Sequence, residues 1–413
     1  MPAGSPPVGA QASLPARSPP VGAQASLPAR SPPLERRHPC LHDLPPLERR
    51  HPCLHLPQFS IEKVLSLTKQ AGRDACAPVM KKRYLLAGTA GLVGAVVAAK
   101  LLSRPRDVDW EKNRELIFHA DYSRFAIVDG VRVHYQEAGD PNDPAVVLIH
   151  GFSSSTLVWS RVFLPLADEG FRVIAVDLLG YGYSGKPRNG SYTIEGQARM
   201  IVGLLDSLGI EQAHIIGSSY GGAVAATYAL DYPDRLEKLI LVGSVTNNDA
   251  TKYLLLRLFG FPIVGDIVSP FLLSSRSLLR RRMRKVYERH SWVLDERRVE
   301  ARHRPLRAAN THRAIIRTVR RWDADRIERD ADLIRHETLL IWGDNDPEVP
   351  LRHGEHLNRA IEDSRLIVFR NCGHLPHEEY PIGFTEVVAE FLAKRHTTDD
   401  RSQTAVHRPS SVV

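Results

Sequence analysis

Gly217-Ser218-Ser219-Tyr220-Gly221-Gly222 follows an aliphatic run over residues 213–217 and precedes a segment of helical period. The order G-x-S-x-G between a strand and a helix describes a tight, strained turn. Glycines stand where a side chain would clash, and the serine is pushed out at the carboxyl end of a sheet. Ser219 is therefore the candidate nucleophile, while Ser218 occupies the variable position of the motif. The alternative is a serine that merely forms the turn or caps the helix.

Outward from this turn, strand and helix signals alternate. Strand-like runs lie at 125–128, 131–137, 145–150, 172–177, 213–217, 239–243, 338–342 and 366–369, with helical periods at 194–208, 220–230 and 381–393. Runs rich in Val and Ile that show no polar alternation are buried on both faces, as crossover helices on a parallel sheet require. The opening pair, joined at Asp129-Gly130, reads instead as an antiparallel hairpin. The class is α/β with a mostly parallel sheet flanked by helices. Between Gly243 and Thr338 the alternation stops, and the run is helical and arginine-rich, as in Arg280-Arg281-Arg282 and Arg320-Arg321. A long insertion between core strands is usually functional, so residues 244–330 are read as a helical cap between core parts 120–243 and 331–395. Its arginines are expected on a solvated outer face; anionic lipid or an acidic substrate is the alternative attraction.

A serine hydroxyl needs a base to take its proton, and a histidine base needs an acid to fix its tautomer. Strand 338–342 runs into Gly343-Asp344-Asn345-Asp346-Pro347, and strand 366–369 into Asn371-Cys372-Gly373-His374. These supply an acid and a histidine in the chain order Ser, Asp, His. Asp344 follows Gly343 directly, where a carboxylate readily bonds its own turn; Asp346 is restrained by Pro347. His150-Gly151-Phe152 ends the strand at 145–149, so the N–H groups of Phe152 and Tyr220 are candidates for holding a developing oxyanion. Ser153, Ser154 and Ser155 are expected to cap a following helix.

Over residues 125–393 these features resemble the α/β-hydrolase fold superfamily: the His150-Gly151 turn, Asp177-Leu178-Leu179-Gly180-Tyr181-Gly182-Tyr183-Ser184, the Ser219 elbow, Gly343 to Pro350, and Gly373-His374. The chain looks like the capped branch of esterases, monoacylglycerol lipases and carbon–carbon bond hydrolases. The resemblance implies a nucleophile at Ser219, a base at His374 and, from the family's G-x-x-D pattern, an acid at Asp346. Relatives that open halides or epoxides carry Asp at the elbow, which argues against those activities here. The expected function is serine-dependent cleavage of an ester or related acyl compound of small, apolar character. Two alternatives accompany it: a carbon–carbon bond hydrolase of ring-fission diketones, and a low-turnover ligand receptor on the same fold. Neither metal nor organic cofactor is implied. The apolar stretch 253–261 is a candidate lining for the substrate.

The chain has 413 residues, 43% hydrophobic and 25% charged, enough to bury a large core and too regular in composition to be disordered throughout. Residues 1–79 are the exception. Ser-Pro-Pro units open at Ser5, Ser18 and Ser31, and residues 33–42 recur at 46–55, a Pro- and Ala-rich repeat expected to be disordered. Its Cys40-Leu41-His42 and Cys53-Leu54-His55 pairs belong to the repeat and are not read as a metal site. Translation from Met80 would omit the whole leader. Lys81-Lys82-Arg83 then precede an uncharged run at 84–99, interrupted by Lys100 before Leu101-Leu102, so residues 80–102 are read as a signal anchor. The expected location is a membrane attached through this one segment, with cleavage after Val97-Ala98-Ala99 and secretion as the alternative. Residues 396–413 are expected to be frayed.

Three of the four cysteines precede the folded part, leaving Cys372 with no disulfide partner there. The net charge of +8 raises nucleic acid as a partner, but no reading module accompanies it, and none is expected. Gly180-Tyr181-Gly182-Tyr183-Ser184-Gly185 fits G-x-G-x-x-G, yet Lys186-Pro187 follows instead of the helix a dinucleotide needs. His353 and His356, with Glu355 between them, are expected on the exposed face of a helix after Pro350. Nothing in the sequence sets an oligomeric state.

Overall fold

Eight of the nine described strands form the body of one sheet because their aliphatic residues alternate between two buried faces. In the computed structural model, residues 109–249, 260–261, 264–287, 290–393 and 411–412 are described, together with Gly91 and Gly94. The strands are β1 Ser123–Val128, β2 Val131–Ala138, β3 Ala145–Ile149, β4 Arg172–Val176, β5 Ala213–Ser218, β6 Leu236–Val242, β7 Thr338–Gly343 and β8 Ser364–Phe369. Their spatial order is β1-β2-β4-β3-β5-β6-β7-β8, with β1 and β2 antiparallel to their neighbours and the remainder parallel. The β1–β2 hairpin turns at Asp129 (φ 49°) and Gly130 (φ 74°), both left-handed, as a two-residue connection requires.

Val147, Ile149, Ile215, Leu239, Leu241, Leu340 and Trp342 face one core, while Val146, Leu148, Ile216, Ile240, Val242, Leu339 and Ile341 face the other. The first core is covered by α3 Ile194–Ser207 and α4 Tyr220–Asp231, and the second by α2 Phe163–Asp168 and α12 Pro381–Ala393. A short α1, Trp110–Asn113, precedes the sheet. Each fully buried aliphatic side chain stabilises this arrangement by about 1.5–3 kcal/mol.

Between β6 and β7 the described residues form α5 Val264–Ser274, α6 Arg276–Val286, α7 Glu296–Leu306, α8 Thr311–Arg320 and α9 Asp325–Arg329. Arg281, Arg320 and Arg321 are exposed, as expected of a solvated face. Arg298 and Arg302 are not: both are buried, and both reach Glu378 in α11, Pro376–Glu379. Of the proposed lining at 253–261, residues 253–259 lie outside the described residues, and the Phe261 ring is exposed. The leader and the segment 80–102 also lie outside them, apart from Gly91 and Gly94. Among the described residues no helix is long and apolar enough to cross a membrane.

One expectation is corrected. His353, in α10 Arg352–Ala360, is buried: its Nδ1 lies 3.1 Å from both Glu328 Oε1 and Thr246 Oγ1, whereas His356 is exposed. Position 353 is on the face of α10 that packs inward, where two polar groups satisfy the ring. In the tail, Ser411–Val412 forms β9, pairing in parallel with Ile367 and Val368. β8 would otherwise be a sheet edge, whose free N–H and C=O groups accept an added strand.

Candidate active site

The sheet order reverses at β3, which has β4 on one side and β5 on the other, and the carboxyl ends at such a switch point are where sheets of this kind place their sites. Ser219 follows β5 at this end, at φ 56°, ψ −119°. Its N–H donates to Val242 O at 2.9 Å, and its carbonyl accepts from Gly222 and Val245 N–H groups at 2.9 and 3.0 Å. The strained backbone is thus held from β6 and from the first turn of α4. A Cβ at Gly217 would lie 2.2 Å from Gly221 O, and one at Gly221 2.3 Å from Ile149 O, so the elbow closes only with glycine at both positions.

Gly151 approaches the nucleophile directly: a Cβ there would stand 3.0 Å from Ser219 Cβ. His150 sets the orientation of this loop. Its Nε2 accepts Leu178 N–H at 3.1 Å, so Nδ1 carries the proton and donates to Gly151 O at 2.8 Å. Burial lowers the pKa of this ring and favours its neutral form. The Gly151 carbonyl and the Phe152 N–H share one planar peptide unit and point in opposite directions. Holding the carbonyl therefore aims the N–H. Among the described residues neither Phe152 nor Tyr220 N–H donates to a backbone acceptor. Ser155 accepts from Leu157 N–H at the start of a 3₁₀ turn, Thr156–Trp159, the capping role expected of it.

Asp346 and His374 leave the neighbouring strands β7 and β8. Asp346 Oδ2 lies 2.7 Å from His374 Nδ1, and its Oδ1 accepts Glu348 and Val349 N–H groups at 2.8 and 2.9 Å. Asp344 instead accepts Cys372 N–H and the Asn345 side chain, and it makes no contact with the ring. Burial works against a charge on His374, but the Asp346 carboxylate outweighs it and raises the pKa of the ring. Gly243, at φ 49°, ends β6 beside this pair; a Cβ there would come within 3.1 Å of Asp346 Oδ2 and 3.2 Å of His374 Nδ1. Ser219, Asp346 and His374 thus follow β5, β7 and β8, with Gly243 just after β6 between them. Among the described residues no hydrogen bond joins the Ser219 hydroxyl to His374; that contact commonly closes only when substrate is seated.

Several neighbours escaped the sequence reading. The Phe152 ring meets Trp322 at 5.6 Å, Tyr220 at 6.3 Å and Tyr181 at 6.3 Å between centroids, and Tyr220 meets Trp322 at 5.1 Å. Rings from four separate segments thus form one aromatic cluster that includes the residues directly after Gly151 and Ser219. The Asp177 segment proves structural. Burial alone would raise its pKa, but His134, with Nδ1 at 2.7 Å, His150 and the Tyr183 N–H hold it at about 2, and Thr156 N–H donates to its other oxygen. Gly180 and Gly182 belong to this turn, where a Cβ at Gly182 would collide with the Asp177 carboxylate, and no helix follows to receive a dinucleotide.

A family model described as alpha/beta hydrolase fold matches residues 144–381. The chain is 30% identical over 282 residues to a 2-hydroxy-6-oxo-2,4-heptadienoate hydrolase of Pseudomonas putida, covering 67% of this chain and 98% of that one. Among solved structures, a meta-cleavage product hydrolase of Pseudomonas fluorescens superposes with a TM-score of 0.56 at 26% identity, covering 65% of this chain and 97% of that one. A bacterial membrane phospholipase A superposes with a TM-score of 0.55, also at 26% identity, over 76% of this chain and 97% of its own.

Proposed function

The chain belongs to the α/β-hydrolase fold family, and on that premise we propose that this hydrolase cleaves carboxylic esters or related acyl compounds through Ser219, His374 and Asp346. The observation that carries the reading is the 2.7 Å contact between His374 and Asp346, two strands from a serine on a strained elbow. With Nδ1–H donated to Asp346, Nε2 is the nitrogen that accepts a proton. Ser219 Oγ adds to the substrate carbonyl carbon as His374 takes its proton, and the carbonyl oxygen becomes an oxyanion between the Phe152 and Tyr220 N–H groups. His374 then protonates the leaving alkoxide, the carbon–oxygen bond breaks, and an acyl-serine is left. Water, deprotonated by the same ring, releases the acid and restores Ser219.

An apolar ester is favoured over an anionic dienoate by the surroundings of the nucleophile. The rings of Phe152, next to Gly151, and of Tyr220, next to Ser219 in the chain, pack with Tyr181 and Trp322, and the cation that His374 senses, Arg282, is paired with Glu348 at 3.4 Å. Similarity to a membrane phospholipase A supports the same choice. Carbon–carbon bond cleavage is the second reading, favoured by the relative that acts on a heptadienoate. A panel of p-nitrophenyl and glyceryl esters run beside a 2-hydroxy-6-oxo-dienoate separates them. Ester turnover is expected to exceed dienoate turnover, and the reverse order overturns the ester assignment. Rapid fluorophosphonate labelling without turnover of either would point to a receptor.

For location, the basic-then-apolar order at 81–102 supports attachment to a membrane. Protein expressed from Met80 is expected to pellet with membranes and to be released by detergent but not by high salt. A soluble product beginning near Lys100 would instead reveal a cleaved signal.

A further inference from the structure

The loop that carries His374 is held from the cap side as well as from the core. The Glu379 carboxylate, whose side chain is fully buried, accepts Gly373 N–H at 3.1 Å to each oxygen and Leu375 N–H at 3.3 Å. One carboxylate therefore pins the residues on both sides of His374. The third N–H of the series, that of His374 itself, points at Val286 O, 3.4 Å away at the end of α6. Gly373 admits this helix end, since a Cβ there would lie 2.5 Å from the same carbonyl oxygen. Glu379 is oriented in turn by His290, from the segment between α6 and α7, with Nδ1 at 2.9 Å.

The neighbouring residue makes a parallel connection. Glu378 accepts from the Tyr287 hydroxyl and from Arg302 of α7, and Leu375 packs with Met283, Val286, Tyr287 and Val293. The same short stretch after His374 is thus fastened twice to the helical insertion.

We propose that Glu379 is a positioning residue for His374, and that the cap, through His290, sets the placement of the catalytic ring. Asp346 fixes the direction of the imidazole, while Glu379 fixes the backbone from which it projects. This inference rests on the assignment of His374 as the base. It makes the 286–302 side of the cap part of the catalytic scaffold, so that side stays docked while substrate enters elsewhere.

The test uses the full chain with Glu379→Gln, which preserves shape but presents an amide to three donors, and His290→Ala, which removes the Glu379 hydrogen bond and the ring contacts with Trp292 and Tyr380 from a partly exposed position, at less risk to the fold. Two readouts are taken: kcat and KM on the best substrate, and the downfield proton resonance of His374 Nδ1–H, assigned by its loss in His374→Gln. Glu379→Gln is expected to lower kcat about 10- to 100-fold with KM unchanged, the scale on which small displacements of a reacting group act. The resonance should shift or broaden. His290→Ala should move both in the same direction by less. A resonance and kcat that match wild type in Glu379→Gln overturn the proposal. So does a variant that loses thermal stability and activity while the resonance keeps its position, since Glu379 would then be merely structural. Failure of the reaction assignment is distinguishable: Ser219→Ala would match wild type in activity, while the resonance would still report on Glu379.

Discussion

Ser219→Ala is expected to abolish turnover, with a fall of about six orders of magnitude in kcat, and to remove labelling by a fluorophosphonate. The substitution deletes the attacking oxygen and little else. The left-handed backbone at position 219 is held by four main-chain hydrogen bonds that do not involve the side chain, so the elbow should persist and the thermal midpoint should move little. Ser218 provides the comparison. Its hydroxyl is buried and has no partner, so Ser218→Ala strands no polar group and should leave both activity and stability close to wild type. Should Ser218→Ala be the inactive variant and Ser219→Ala the active one, the nucleophile has been misassigned.

The second large effect is expected at the acid. Asp346→Asn should lower turnover by about three to four orders of magnitude with the fold intact, because an amide holds the wrong tautomer of His374 and cannot compensate its charge. Asp344→Asn, whose carboxylate serves the turn and Cys372 N–H, should cost about tenfold at most. The pH profile adds an independent sign. His374 must be neutral to accept the serine proton, and Asp346 raises the pKa of that ring against the opposing effect of burial. In wild type the acid limb of kcat/KM therefore lies above the ordinary histidine range. In Asp346→Asn the residual activity should lose its acid limb to lower pH. A limb that stays in place would remove Asp346 from contact with the base.

The elbow was legible because its evidence is local: strand, turn and helix are contiguous, and G-x-S-x-G has mechanical meaning only between them. The choice of Asp346 over Asp344 was legible from Pro347 and the family's spacing, and the geometry places only Asp346 against His374. The fold class followed from aliphatic runs, and each expected strand appears within a few residues of its position. What stayed hidden depends on partners distant in the chain. His353 meets Thr246 and Glu328 across the fold, and helical period alone did not assign it to the inward face. Arg298 and Arg302 read as surface charge until Glu378 is brought beneath them. Glu379 follows His374 by five residues in a polar stretch, and only the folded loop turns its carboxylate back onto the histidine's own neighbours.

The distribution of the site over β5, β7 and β8 also bears on how the protein is made. A ribosome delivers the chain from its amino end, so the serine elbow is complete while the whole insertion and both later strands are still unsynthesised. At that stage the serine has neither base nor acid, and its hydroxyl is no more reactive than any other in water. On the proposed triad, competence arrives only when β8 joins β7 and carries His374 to Asp346. If the proposed assignment holds, a nascent or truncated chain is thereby kept from attacking acyl groups in its surroundings, and hydrolytic activity itself becomes a report that synthesis has run past His374.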